Sequence, residues 1–242
     1  MSNKEIIVLP GVEEMSEFLV TLIRDKVNAA NKGEPVNIAL SGGTTPKLIF
    51  ENMVKRYKER IKWERIRFFQ VDERCVPPDS PESNYLMIRK HLLDGLNIPE
   101  DHFFRIKGEN NPQDEAVRYG KILIENLPME SKYPVFDLVL LGLGEDGHTA
   151  SLFPGDTVVL KSQNYCEVAV HPQTGQKRIT LTLPIFNHAR QVVFMVTGKG
   201  KAAIVAEIIQ YPEKKRLPAS LVNTGKEKLT WLLNTEAAGI LK

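Results

Sequence analysis

Apolar residues along this chain fall into two alternating rhythms. Short β-branched or aliphatic runs recur at Ile6–Leu9, Val36–Leu40, Ile66–Val71, Leu138–Leu141, Tyr165–Val170, Arg178–Leu183, Val192–Val196 and Leu229–Leu233, and each reads as a β-strand. Between them, Val12–Asn31, Pro46–Lys58, Ser83–Leu92, Pro112–Asn126 and Lys201–Gln210 read as helices. In the first of these, Met15, Phe18, Leu19, Leu22, Ile23 and Val27 recur at spacings of three and four, giving one apolar stripe for a core. Strands alternating with helices predict an α/β fold on a parallel sheet. The proline-bearing turns Val76–Pro81 and Leu127–Pro128 are too short to separate domains, so residues 1–242 are expected to form a single domain.

Four polar segments directly follow apolar strands: Ser41–Thr45, Asp72–Arg74, Gly142–His148 and Thr197–Lys201. The carboxyl ends of parallel strands share one edge, where open α/β sheets take their ligands. One site assembled from distant pieces of sequence is therefore expected there.

Composition narrows the classes. With 242 residues, 42% hydrophobic and 26% charged, the chain has ample material for a core. A net charge of +2 with no Lys/Arg block argues against nucleic acid as a partner. No window approaches 18 uninterrupted apolar residues and the N-terminus lacks a signal-like apolar segment, so no membrane partner is expected. Cys75 and Cys166 have neither CxxC nor CxxH spacing, which fits a reducing compartment and a cytoplasmic protein. Cys75 follows Arg74 and reads as a passive apolar residue rather than an activated thiol. His91, His102, His171 and His188 form no HxH or HExxH pattern, so no metal is expected.

The densest chemistry lies in Phe136–Pro154, where a buried-looking strand runs into a turn holding Gly142, Gly144, Gly147 and one imidazole, His148. Histidine titrates near neutrality, so His148 is a candidate to take a proton from water. Asp146, two residues earlier, is a possible orienting group, though that spacing alone does not establish contact. In Val36–Pro46, the strand enters Ser41-Gly42-Gly43-Thr44-Thr45-Pro46. Thr44 or Thr45 is placed to cap the following helix, Pro46 to begin it, and the turn's N–H groups suit a phosphate. Neither GxxxxGK[ST] nor GxGxxG is present, so no nucleotide is implied.

The triplet Asp72-Glu73-Arg74 reads either as an exposed ion-pair set or as a ligand grip, with Arg74 on phosphate oxygens and a carboxylate on sugar hydroxyls. Asn84 reads as a helix cap in preference to a ligand contact. Arg178 points either into the site or into solvent. Lys201 opens a helix, where a cation is unfavourable, and so suggests an anionic partner. Lys199 competes for the same role.

Together these segments resemble the 6-phosphogluconolactonase family: Ser41–Pro46, Asp72–Arg74, Ser83–Tyr85, Gly144–Pro154, Arg178–Pro184 and Thr197–Ala202 match in family order. The resemblance implies a Rossmann-like, three-layer fold with a mostly parallel sheet, of the glucosamine-6-phosphate deaminase-like type. It implies hydrolysis of 6-phospho-D-glucono-1,5-lactone, a step of the pentose phosphate pathway, without metal or cofactor. Carried over, His148 is the general base, and Ser41, Gly42, Gly43, Thr44, Asp72, Arg74, Arg178 and Lys201 are substrate contacts. The partner is then a small sugar-phosphate lactone, and a monomer is the favoured state. Two rivals are a deaminase of the same fold, which by resemblance carries an acid within the segment matching Ser151–Pro154, and a non-catalytic sugar-phosphate sensor. The first lacks its acid here, and the second has no helix-turn-helix before the strand at Ile6 and predicts loss of His148.

Overall fold

The computed structural model describes residues 4–211, 217–225 and 228–241; the first three residues of the N-terminal segment lie outside them. The strands are β1 (Lys4–Leu9), β2 (Val36–Leu40), β3 (Ile66–Gln70), β4 (Asp72–Arg74), β5 (Phe103–Phe104), β6 (Met129–Glu130), β7 (Tyr133–Pro134), β8 (Leu138–Leu141), β9 (Cys166–Val170), β10 (Lys177–Leu181), β11 (Gln191–Val196) and β12 (Lys228–Asn234). The helices are α1 (Val12–Ala29), α2 (Thr44–Tyr57), α3 (Asn84–Ile88), α4 (Asp94–Leu96), α5 (Pro112–Asn126), α6 (Thr157–Lys161), α7 (Leu183–His188), α8 (Ala202–Gln210) and α9 (Pro218–Leu221).

A seven-stranded sheet runs in the order β1-β12-β11-β8-β2-β3-β5, with every neighbouring pair parallel. Its central strands are buried on both faces, which is why they read as continuous apolar runs. Successive side chains point to opposite faces. Leu138, Leu140, Ile38, Leu40, Val193 and Met195 pack with α1, α2 and the helix around Leu92, while Val139, Leu141, Ala39, Phe194 and Trp231 pack with α5, α7 and α8. Helix, sheet and helix make three layers, as the resemblance implies.

Two of the expected strands leave this sheet. β9 and β10 join β4 in a separate antiparallel sheet, ordered β4-β10-β9. The segment Asp72–Arg74, read as a polar loop, is thus a strand. The physical reason is visible in β10, whose lysine and arginine precede buried Ile179, Thr180 and Leu181; mixed polar and apolar strands suit antiparallel pairing with one face uncovered. The crossover is direct: Val71 donates its N–H to Leu40 of the parallel sheet and accepts one from Leu181 of the antiparallel one.

Helix boundaries differ at both ends, with α1 stopping at Ala29 and α3 at Ile88. Gly43, not a threonine, precedes α2, and Pro46 is its third residue. Ser83 caps α3 by accepting the N–H of Leu86, so Asn84 is the first helical residue and not the cap. α3 continues through a π-helical stretch, Arg89–Leu93, into α4, which ends at Asn97 in the left-handed region. α5 has the expected bounds, with Asn111 capping and Pro112 in its first turn. No helix among the described residues is long and apolar enough to cross a membrane.

Candidate active site

The segments after β11, β8, β2 and β3 emerge side by side, because these are adjacent strands in the sheet. A cavity of about 250 Å³ opens at their carboxyl ends, small for a ligand pocket, with charged and hydroxyl side chains in its lining. Ser41, Gly42, Gly43, Thr44, Asp72, Arg74, His148, Arg178 and Lys201 all line it, with Thr45, Asn84, Gly142, Leu143 and Gly144. The structure therefore brings these nine candidates to one place.

From β2, Ser41 is buried and its hydroxyl donates to the Leu140 carbonyl at 2.8 Å. That bond braces the first residue after β2 on β8. Gly42 must be glycine, since a Cβ there would fall 1.9 Å from Oδ1 of Asn84. The N-terminus of α2 then lines the cavity, with no side-chain cap and with first-turn N–H groups that lack intrahelical acceptors. Thr45 shares a 2.6 Å hydroxyl–hydroxyl bond with Thr197, tying α2 to the segment that carries Lys201. Lys201 lines the cavity, whereas Lys199 is exposed and outside it. Burial lowers the Lys201 pKa, opposed by the Glu145 and Asp146 carboxylates.

From β8, the loop Gly142–Ala150 is closed by bonds from the Gly144 N–H to the His148 carbonyl (2.8 Å) and from the Gly147 N–H to the Gly144 carbonyl (3.1 Å). Asp146 meets the imidazole: His148 Nδ1 donates to Oδ1 at 2.6 Å, and the same oxygen accepts the His148 backbone N–H at 3.1 Å. Partial burial pushes the Asp146 carboxyl up, but the amide bond and the neighbouring imidazole outweigh it and hold its pKa below the ordinary 3.8. Donation from Nδ1 fixes the neutral tautomer with its lone pair on Nε2. The ring lies in space that only glycine at 144 leaves open, because a Cβ there would stand 2.1 Å from Nδ1.

From the antiparallel sheet come two cations. Arg74 of β4 and Arg178 of β10 are direct partners in register, an arrangement that like charges disfavour. Both Nε atoms are buried with no hydrogen-bond partner among the described residues. Burial, followed by the Arg74 charge, lowers the Arg178 pKa, with Asp72 opposing. Arg178 lies over the Phe153 ring at 5.9 Å, and the same ring contacts His148 at 5.2 Å and His171 at 5.0 Å. Asp72 is anchored, not free: Ser151 Oγ donates to it at 2.6 Å, and Asn84 Nδ2 donates to its carbonyl at 3.0 Å. It still lines the cavity.

The contacts of Phe153 and Ser151 escaped sequence reading, while Asn84, read as a cap, and Glu73, read within an ion-pair or ligand-grip triplet, act through bonds to each other and to Asp72. Cys75 is passive: burial, then Glu73, raises its thiol pKa. Among the described residues no group of three His, Cys, Asp or Glu side chains is placed to hold a metal ion.

Comparison with known proteins gives a consistent result. The family model for glucosamine-6-phosphate isomerases/6-phosphogluconolactonase matches residues 10–231. A human 6-phosphogluconolactonase is 42% identical over 241 residues, covering 98% of this chain and 93% of that protein. The structure of a 6-phosphogluconolactonase from Trypanosoma brucei superposes with a TM-score of 0.89 at 32% identity, covering 100% of each chain. A monomeric glucosamine-6-phosphate deaminase, 18% identical, shares the fold with a TM-score of 0.80 over 98% of this chain and 99% of that one.

Proposed function

Because the chain belongs to the family of glucosamine-6-phosphate isomerases and 6-phosphogluconolactonases, we propose that it hydrolyses 6-phospho-D-glucono-1,5-lactone to 6-phosphogluconate, with His148 as general base. The observation that carries this reading is the Asp146–His148 pair at the edge of a cation-lined cavity. A δ-lactone is a reactive ester, so a positioned base acting on water suffices and no covalent nucleophile is needed. Nε2 of His148 takes a proton from water as its oxygen bonds to the ring carbonyl carbon. The tetrahedral oxyanion then collapses, the bond from that carbon to the ring oxygen breaks, and the imidazolium returns the proton to that oxygen. The new carboxylic acid releases its proton to solvent. General-base assistance of this kind contributes about 10²–10⁴-fold.

Among the oxyanion donors that the glycine loop offers, the Gly144 and Gly147 amides already bond within the loop. The amides of Gly142 and Leu143, which line the cavity, take that role. The substrate phosphate is held by the α2 N-terminus at Gly42–Thr44 and by Arg74, Arg178 and Lys201. The crowded positive charge of the three suits a dianion. Holding the phosphate sets the lactone carbonyl over His148. A deaminase reading is weaker, because Leu152 and Phe153, in the segment where that chemistry needs an acid, are buried and apolar.

The test is acid release from freshly made 6-phosphogluconolactone in a pH-stat, with spontaneous ring opening subtracted. Acceleration is expected on the phosphorylated lactone, with little on gluconolactone. No acceleration, or ammonia release from glucosamine 6-phosphate instead, sinks the assignment.

A further inference from the structure

Next to the cavity, and outside the mechanism above, lies an ionisable side chain that is almost fully buried. Glu73 is 2% exposed, yet no cation among the described residues pairs with it directly. Instead, five neutral donors converge on its carboxylate. Oε1 accepts the backbone N–H groups of Arg74 and Asn84, each at 2.8 Å. Oε2 accepts Gln70 Nε2 at 2.9 Å, Ser83 Oγ at 3.2 Å and the Tyr85 N–H at 2.7 Å. A buried carboxylate is tolerated only when its lone pairs are filled in this way.

The donors come from three places: the end of β3, the strand β4 and the start of α3. Between the last two runs the irregular segment from Cys75 to Glu82, so Glu73 closes that loop at its base. Two residues lining the cavity are attached to the same closure. Arg74 has its N–H on Glu73, its carbonyl bonded by the Val76 N–H at 2.8 Å, and its guanidinium on the Glu82 carbonyl. Gly108 packs so closely that a Cβ there would meet the Arg74 carbonyl at 2.2 Å. Asn84 has its N–H on Glu73 and its side chain against Gly42 and Asp72. The His148 loop, by contrast, springs from β8 and has no bond to Glu73.

We infer that Glu73 is a positioning residue for substrate binding: its carboxylate sets Arg74 and Asn84 at the cavity and leaves the base untouched. This rests on the reading of Arg74 as a phosphate contact. A side chain that merely supports the fold would lower both kinetic constants or the amount of folded enzyme. A positioning residue on the phosphate side moves KM and spares kcat.

The deciding variant is Glu73→Gln, which keeps the shape but turns one acceptor into a donor that faces other donors. With full-length enzyme, KM for 6-phosphogluconolactone is expected to rise about tenfold or more with kcat within about threefold, while kcat/KM for unphosphorylated gluconolactone stays the same. A fall in kcat at unchanged KM, or equal losses on the two lactones, overturns the proposal. Should Glu73→Gln fail to fold, Ser83→Ala removes one of the five bonds and is expected to raise the same KM about threefold; an unchanged KM there also overturns it. Arg74→Ala serves as the separate control. If it raises KM while Glu73→Gln does not, the proposal falls and the phosphate role of Arg74 stands. If Arg74→Ala leaves KM unchanged, that role falls and the proposal with it.

Discussion

His148 and Asp146 are joined twice through one carboxylate oxygen, which accepts the ring Nδ1–H at 2.6 Å and the backbone N–H at 3.1 Å. The double attachment fixes both the ring's direction and its tautomer. A residue two positions earlier can do this only because the loop folds back on itself at Gly144 and Gly147.

Replacing His148 with alanine is expected to lower kcat for 6-phosphogluconolactone at least about 100-fold, the loss of a general base. Calorimetry with 6-phosphogluconate should find its affinity little changed. Near-native turnover in this variant would remove His148 from the chemistry.

Asp146→Asn keeps an acceptor oxygen but removes the charge beside the ring and allows a flipped amide to favour the wrong tautomer. A fall in kcat of at least about tenfold with KM held is expected. Steady-state kinetics decides it, and a change confined to KM would contradict the orienting role.

Gly144→Ala places a methyl group where the imidazole stands, 2.1 Å from Nδ1. A ring displaced by about 1 Å loses on the order of 100-fold in kcat. Melting should shift modestly and KM should hold; unchanged kcat would mean the ring has another productive position.

Arg178→Ala and Lys201→Ala are expected to weaken 6-phosphogluconate about 10- to 100-fold each, as a charge-assisted bond to phosphate is lost. Gluconate, lacking the phosphate, serves as the control ligand. Equal losses for both ligands would place these cations elsewhere on the substrate.

Burial, and next to it the Arg178 charge, holds the His171 pKa below its ordinary 6.5. Its Nδ1 accepts the N–H groups of Gln173 and Thr174, each at 3.3 Å, and protonation there would break both bonds. The sign follows: the folded state disfavours the imidazolium, so this contribution to stability is fully present above pH 6.5 and is lost as pH falls through the folded midpoint. In Arg178→Met, an NMR titration of the His171 ring should move upward toward 6.5. An unmoved midpoint would show that Arg178 exerts no field there.

Much of this was legible in the sequence. β2 and β8 have their expected bounds because each is almost wholly apolar, with Asn37 the one polar residue in the two, and each runs straight into a polar or glycine-bearing segment. The cavity lining was legible because four polar segments follow four strands that prove adjacent. The antiparallel sheet was not, since Asp72–Arg74 is too short and too charged to read as a strand without its partner β10. Asn84 was misassigned because Ser83, one residue earlier, is an equally good cap and the carboxylate that fixes the choice lies at position 73. The bond from Ser151 to Asp72 spans 79 residues of chain and has no local signature.

The register that sets Arg74 opposite Arg178 has a further consequence. Two cations are held face to face there, with neither Nε bonded among the described residues, so a dianion that pairs with both offsets their mutual repulsion. Occupancy then acts as a preservative: heat or a protease should claim the starved form first, and the survival of the protein should track the supply of the metabolite it consumes.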